Sequence, residues 1–207
     1  MNKTTLITLA AVAVLGTALP AAAQDTGHWI VRARAVHLDS ANKDSTGLGL
    51  SINNKWIPEV DISYFFSPNL AAELILTYPQ KQTVHSSVLN ANAGTFKHLP
   101  PTLTLQYHAT GFGSFRPYVG AGLNYTNISA VHLDAASNAL GASVNLKRNS
   151  VGLALQAGVD VPLGGGWLLN ADIKKVQIGT KVLADGSSVG KFKVDPLLIG
   201  VGVGRRF

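Results

Sequence analysis

The 207-residue chain has no cysteine. That excludes disulfides, which exported soluble proteins commonly use; a fold that closes on itself has no need of them. Beyond the first 23 residues no segment offers 18 unbroken apolar residues, so no membrane-spanning helix is expected. The signatures G-x-S-x-G, the P-loop and H-E-x-x-H are missing. The histidines at 28, 37, 85, 98, 108 and 132 follow no metal-ligand spacing. The chain is therefore read as having no catalytic residues, no metal site and no cofactor, and as not an enzyme. Low-complexity tracts and sharp shifts of composition are also missing, so a single domain is expected.

What is present begins with a leader. Lys3 is followed by the apolar stretch Leu6 to Leu15, and Ala21-Ala22-Ala23 fits a cleavage rule before Gln24. Residues 1–23 are read as a cleaved signal peptide and residues 24–207 as the mature domain. Without Lys3 the remainder carries 16 Lys plus Arg against 11 Asp plus Glu, a formal charge of +5.

Period-two alternation dominates that remainder. In SVGLALQAGVDV, Val151, Leu153, Leu155, Ala157, Val159 and Val161 share one face, and Ser150, Gly152, Ala154, Gln156, Gly158 and Asp160 the other. Seven more stretches alternate in this way: HWIVRARAVHL, WIPEVDISYF, LAAELILTY, TLTLQYH, RPYVGAGLNY, WLLNADIKK and the closing LLIGVGVGRRF. About ten residues suit a tilted strand crossing a bilayer. Links at Ser67–Asn69, Ala109–Phe115 and Pro162–Gly166 are short; those near 39–54, 80–98, 126–149 and 179–193 are long. Trp29, Trp56, Tyr64, Tyr78, Tyr107, Tyr125 and Trp167 stand near strand ends, where interfacial girdles belong. An even number of strands with short turns on one side predicts an all-β, eight-stranded antiparallel transmembrane barrel, with short periplasmic turns and long extracellular loops. A soluble β-sandwich is the alternative, but its solvent face would not be glycine-rich with charges of both signs.

The blocks KHLPPTLTLQYH, FRPYVGAGLNYT and DPLLIGVGVGRRF closely resemble the OmpW family of outer-membrane proteins, and the similarity runs strand for strand over the mature chain. The resemblance implies an eight-stranded barrel in the bacterial outer membrane, with a narrow lumen and a role in passage of small hydrophobic molecules. Phe207 resembles the terminal tag that barrel-assembly machinery recognises; the alternative is an interfacial anchor. Arg205 stands where the family has an aromatic. At the end of a lipid-facing strand its cost is only about 0–1 kcal/mol. Lys174 and Lys175 stand where bulky apolar residues are expected.

Arg32, Arg34, Glu59, Asp61, Glu73, Arg116, Asp160, Asp172, Lys174 and Arg206 share the inward parity. Five basic and five acidic groups in a low-dielectric interior must pair. They form either a salt-bridged plug that stiffens the wall or a polar floor that sends a bound molecule sideways into the bilayer. Gly120, Gly122, Gly152, Gly158, Gly200, Gly202 and Gly204 share that parity. They either permit strong coiling or leave lumen space for a ligand. The long links carry Val84, Val88, Leu89, Phe96, Ile128, Val131, Leu133, Leu140 and Val144. These either pack loop on loop or line a hydrophobic funnel at the outer mouth. Lysines and arginines beside the long links suit the phosphates of lipopolysaccharide; no nucleic-acid fold supports the other reading of a basic chain. Expected partners are thus membrane lipids, lipopolysaccharide, a small hydrophobic molecule and the assembly machinery. A passive channel with lateral release is the favoured function. A plugged structural or adhesive barrel is the alternative, and a lipid-modifying barrel enzyme using His85, His98 or His132 ranks below it.

Overall fold

A computed structural model describes residues 27–207; the leader at 1–23 lies outside the described residues. Eight long strands form the barrel: β1 (Trp29–Asp39), β4 (Lys55–Phe65), β5 (Leu70–Leu76), β8 (Thr102–His108), β9 (Arg116–His132), β11 (Asn149–Gly164), β12 (Trp167–Val176) and β15 (Leu197–Arg206). Each pairs antiparallel with its neighbour, and β1 pairs with both β4 and β15, so the ring closes and leaves no edge. Alternation is the cause. Along β11, Val151, Leu153 and Leu155 are 56–71% exposed, while Ala154 and Gln156 of the other parity are buried. A water-facing sheet could not carry that apolar outer face, but a lipid-facing one requires it. Gly164, Gly165 and Gly166 supply the positive φ of the tight β11–β12 turn.

Aromatic rings stand at both ends of the apolar belt. Trp29, Tyr64, Tyr107, Trp167 and Phe207 mark the short-turn end, and Trp56, Tyr78 and Tyr125 the other. Arg205 faces lipid as its parity required. Its guanidinium lies 5.5 Å from the Trp167 ring centre and 5.3 Å from that of Phe207, which shields the charge at the interface.

The long links are more ordered than loops. They contain β2 (Lys43–Asp44), β3 (Leu50–Ile52), β6 (Gln80–Ser86), β7 (Ala91–Leu99), α1 (Asp134–Leu140), β10 (Val144–Leu146), β13 (Gly179–Ala184) and β14 (Ser187–Lys193). The β6–β7 hairpin pairs with β3 and with the far end of β9; β10, β13, β14 and β2 form a second sheet. These elements make an upper lobe that continues the barrel beyond its apolar belt.

The wall is interrupted where β5 meets the hairpin. The last β5–β8 pair is Ile75 with Thr102, and the first β6–β7 pair is Gln80 with His98. Between them lie Pro79 on one side and Pro100-Pro101 on the other. Proline has no N–H to donate, so the ladder cannot run through.

Candidate functional site

The inward side chains form layers. Nearest the short turns sits a small apolar layer of Ile30, Phe65, Ala71 and Leu168. His108 stacks between the Phe65 and Tyr118 rings, 4.8 Å from each, and its Nε2 lies 2.9 Å from Gln106 Oε1.

Above this lies an ionic floor. Arg32 Nη1 binds Asp61 Oδ1 at 2.8 Å, Ser63 Oγ at 2.8 Å and Glu73 Oε1 at 3.3 Å. Its Nε and Nη2 clamp Asp160 at 3.1 and 2.6 Å. Arg34 Nη2 reaches Glu59 at 3.0 Å and Asp61 Oδ2 at 2.9 Å; the alignment is poor for a hydrogen bond, so the attraction is Coulombic. Arg34 Nη1 lies 3.6 Å from Asp172. Lys174 Nζ binds Glu59 at 2.9 Å and lies 3.5 Å from Asp172. Neutral donors complete the set. Tyr118 donates to Asp172, Gln156 to Glu73 and Asn170 to Asp160. Arg32, Asp61 and Glu73 are wholly buried. Charges from β1, β4, β5, β11 and β12 thus meet across the lumen, which leaves no straight path through it.

Eight of the ten inward charges predicted from sequence belong to this network. Arg116 does not: it is half-buried and makes no ion pair among the described residues. Arg206 is drawn instead to the Phe65 ring, 4.3 Å from its centre, and donates to the Gly27 carbonyl. Arg116 stands opposite Asp160 in the β9–β11 ladder, where Arg32 already clamps that carboxylate, and Arg206 lies at the short-turn end. The two lysines separate by parity. Lys174 points in; Lys175 is exposed and donates to the Asp195 carbonyl.

The space beside the inward glycines is largely occupied, which favours the first of their two readings, strong coiling and close packing of the wall. A Cβ on Gly204 would lie 2.8 Å from Arg32 Cγ, and one on Gly202 would lie 2.8 Å from Arg34 Cγ. A Cβ on Gly158 would meet the Tyr118 ring at 2.4 Å, and one on Gly200 would sit 3.2 Å from Val36. The space over Gly120 is taken by Gln156 and Gln106, and backbone carbonyls crowd Gly122 and Gly152. On β15, Gly204 faces the Arg32 stem, and at Gly202 a Cβ would also meet the Ala33 carbonyl at 2.1 Å, so a side chain at either position would displace its neighbours in so narrow a bore.

The upper lobe is not an open funnel. Val84, Phe96, Ile128, Leu133 and Val144 are buried in one apolar cluster with Leu38, Ile57, Val176 and Phe192, and Val131 packs against it. Val88 and Leu140 are exposed and Leu89 is half-buried, so these three line nothing inside. Once each long link forms strands, its inward residues fill the space they would have lined. Small voids remain, and two of them bear on the lumen. The outer is lined by Leu48, Val84, Ala93, Leu133, Ala136 and their neighbours. The inner lies over the floor between His98, Pro100, Thr102, Asn124, Glu59 and Lys174, with about 20 Å³ open to water. Sequence reasoning missed Asn124, which is fully buried. Its side-chain amide lies 3.1 Å from each of the Pro100 and Pro101 carbonyls and 2.8 Å from Thr102 Oγ1. It ties down the interrupted stretch of wall. Thr102 and Asn124 also border a groove on the lipid side, beside Leu74, Leu103, Leu123 and Val151.

The rim histidines do not converge with a serine and an acid. His85 and His132 are exposed, and His98 is buried with no hydrogen bond to either ring nitrogen. Among the described residues no group of acids and histidines is placed to hold a metal.

A closed, edgeless barrel of eight strands, belted by apolar side chains and rings and filled by paired charges, defines an outer-membrane β-barrel protein. More narrowly, the chain belongs to the OmpW family, whose model matches residues 25–207. It is 41% identical over 187 residues to the uncharacterised outer-membrane protein y4mB of Sinorhizobium fredii, covering 86% of this chain and 80% of that one. It is 32% identical to outer membrane protein W of Vibrio cholerae, over 99% of this chain and all of the other. The crystal structure of OprG from Pseudomonas aeruginosa superposes with a TM-score of 0.75 at 28% identity, over 87% of this chain and 96% of that one.

Proposed function

We propose that this protein is a passive conduit for small hydrophobic molecules that enter through the upper lobe and leave sideways into the bilayer. The observation that carries the reading is one pair of residues, Thr102 and Asn124. They border both the void above the floor and the groove facing lipid. The floor below is closed by Arg32, Arg34 and their acids, so the break at Pro100-Pro101 is the short way out. No reaction on the cargo is assigned. The packed floor and lobe also suit a plugged structural barrel, which would conduct nothing.

Vesicles with a lipopolysaccharide outer leaflet separate the two. Uptake of a hydrophobic fluorophore should exceed that of protein-free vesicles, and Asn124→Ala should change the rate by loosening the wall. A rate equal to that of empty vesicles defeats the conduit. Two partners complete the proposal. Lys147, Lys181, Lys191 and Lys193 line a groove at the outer rim that ends on lipid-facing Val151, a place for a lipopolysaccharide phosphate whose chains lie along the wall. Phe207 is exposed at the end of β15 and hydrogen-bonded through its backbone to Trp29, available to assembly machinery before the barrel closes.

A further inference from the structure

We infer that Gln82, Gln80 and His98 form a polar track through the apolar upper lobe that receives the uncharged, hydrogen-bonding head group of an amphiphilic cargo, such as an alcohol. This rests on the conduit reading and assigns its cargo class: a chain with a hydroxyl-type head, in preference to a bare hydrocarbon.

Three polar side chains lie where the lobe should be greasy. Gln80 and Gln82 are fully buried and His98 is 1% exposed, all on the inward face of the β6–β7 hairpin. Gln80 pairs across the ladder with His98, and Gln82 with Phe96. Neither the oxygen nor the nitrogen of the Gln82 amide has a hydrogen-bond partner in the protein, and neither do the two ring nitrogens of His98. The Gln80 oxygen is also unmatched, although its nitrogen donates to Thr77 and to the Tyr78 carbonyl. Buried amides and imidazoles nearly always find partners. Side chains whose purpose was to fill space would be apolar, as Phe96 and Ile128 beside them are.

Their order along the hairpin matters. Val84 and Ala93 line the outer void, and His98 lines the inner one. Gln82 and Gln80 occupy the inward positions between, at the two-residue period of a strand. The track therefore joins the two voids and ends beside Pro100, at the break in the wall.

The chemistry selects the head group. Burial first, and then the charge of Lys55, push the His98 imidazole down to about 4, so at neutral pH it offers one donor and one acceptor. Gln82 offers two donors and an acceptor. A hydroxyl is itself one donor and an acceptor and can be passed along such a set. A cationic head is repelled by Lys55, the charge that acts on His98, and an anionic head would find only that ammonium, which already donates to the Lys81 carbonyl, since Glu59 and Lys174 neutralise each other at 2.9 Å.

The probes are 1-decanol and n-decane, with the full-length barrel in lipid nanodiscs and in vesicles. Decanol should shift the Gln82 side-chain amide and His98 ring nitrogen resonances, whereas decane should leave them in place. In vesicles, Gln82→Leu combined with His98→Leu should lower the decanol-to-decane uptake ratio about tenfold, one ordinary hydrogen bond's worth of preference. Resonances unmoved by decanol, or an unchanged ratio in the double variant, overturn the track. Decane uptake at the normal rate alongside either result leaves the conduit standing. If neither molecule crosses faster than in empty vesicles, the conduit falls, while the resonance shifts still decide the track. Those shifts are read on the unaltered protein, so poor folding of the variant cannot mask the answer.

Discussion

The interior below Thr102 and the interior above it are filled with opposite chemistries. Below, Arg32, Arg34 and Lys174 are each held by two or more acids, although Arg34 Nε and the Gln106 amide nitrogen have no acceptor. Above, Phe96, Ile128, Val144, Val182 and Phe192 pack as an apolar core, and Gln82 and His98 among them lack partners. A buried charge network is stiff, because removing one member strands the others in a medium that solvates them poorly. An apolar lobe with unmatched amides has no such lock, and its voids can widen by small side-chain motions. On the proposed conduit reading, the contrast gives sealing to one half and passage to the other.

The largest expected effect tests the lock. Arg32→Met strands Asp61, Glu73 and Asp160 and should cost about 3–5 kcal/mol. Urea unfolding in lipid vesicles, followed by the fluorescence of Trp29, Trp56 and Trp167, measures it. A loss below about 1 kcal/mol, the range of an exposed pair, would mean the floor is hydrated and the contrast false.

A pH effect should arise in the upper half. His98 titrates near 4 in the folded protein, because of burial and then the charge of Lys55, against an ordinary 6.5. The unfolded chain therefore takes up the proton first. The stability due to this group is complete above about pH 6.5 and falls by about 3 kcal/mol as pH drops toward 4. His98→Leu should remove that part of the slope in unfolding curves collected between pH 7 and 4. An unaltered slope would place the pH response elsewhere.

Gln82→Leu should act with the opposite sign to any change in the floor. It replaces an unpartnered buried amide by a similar apolar volume and should stabilise the barrel by about 1–2 kcal/mol. Thermal unfolding on a gel reads the shift. Destabilisation would show that the amide is satisfied in the membrane-embedded protein and that the two halves are less different than their contacts indicate. The smallest effect belongs to Arg205→Leu, which removes one cation from between the Trp167 and Phe207 rings. About 0.5–1 kcal/mol should be lost, measured by the same unfolding assay.

Much of the barrel was legible in the order of residues. Eight alternating stretches correspond to eight strands because period two is a local property: which face a residue takes depends on its immediate neighbours and on nothing far away. The same rule placed Arg32, Asp61, Glu73 and Lys174 inside and Arg205 outside. It could not show that the long links also alternate into strands, since QTVHSS and SSVGKF are short and polar enough to read as loops. The importance of Asn124 was equally hidden. Its partners are carbonyls of Pro100 and Pro101, and main-chain acceptors leave no trace in composition.

By itself the sequence determined the strand count, the lipid-facing surface and the sign of each inward group. Only the tertiary structure decided which charges meet, since Arg32 and Asp160 are 128 residues apart and touch across the bore. It also decided that the glycines of β15 make room for arginine stems rather than for cargo, and that the upper apolar residues form a packed lobe. The reason is geometric: a repeating pattern along one strand sets a direction, but distance across a closed barrel depends on the tilt and stagger of all eight.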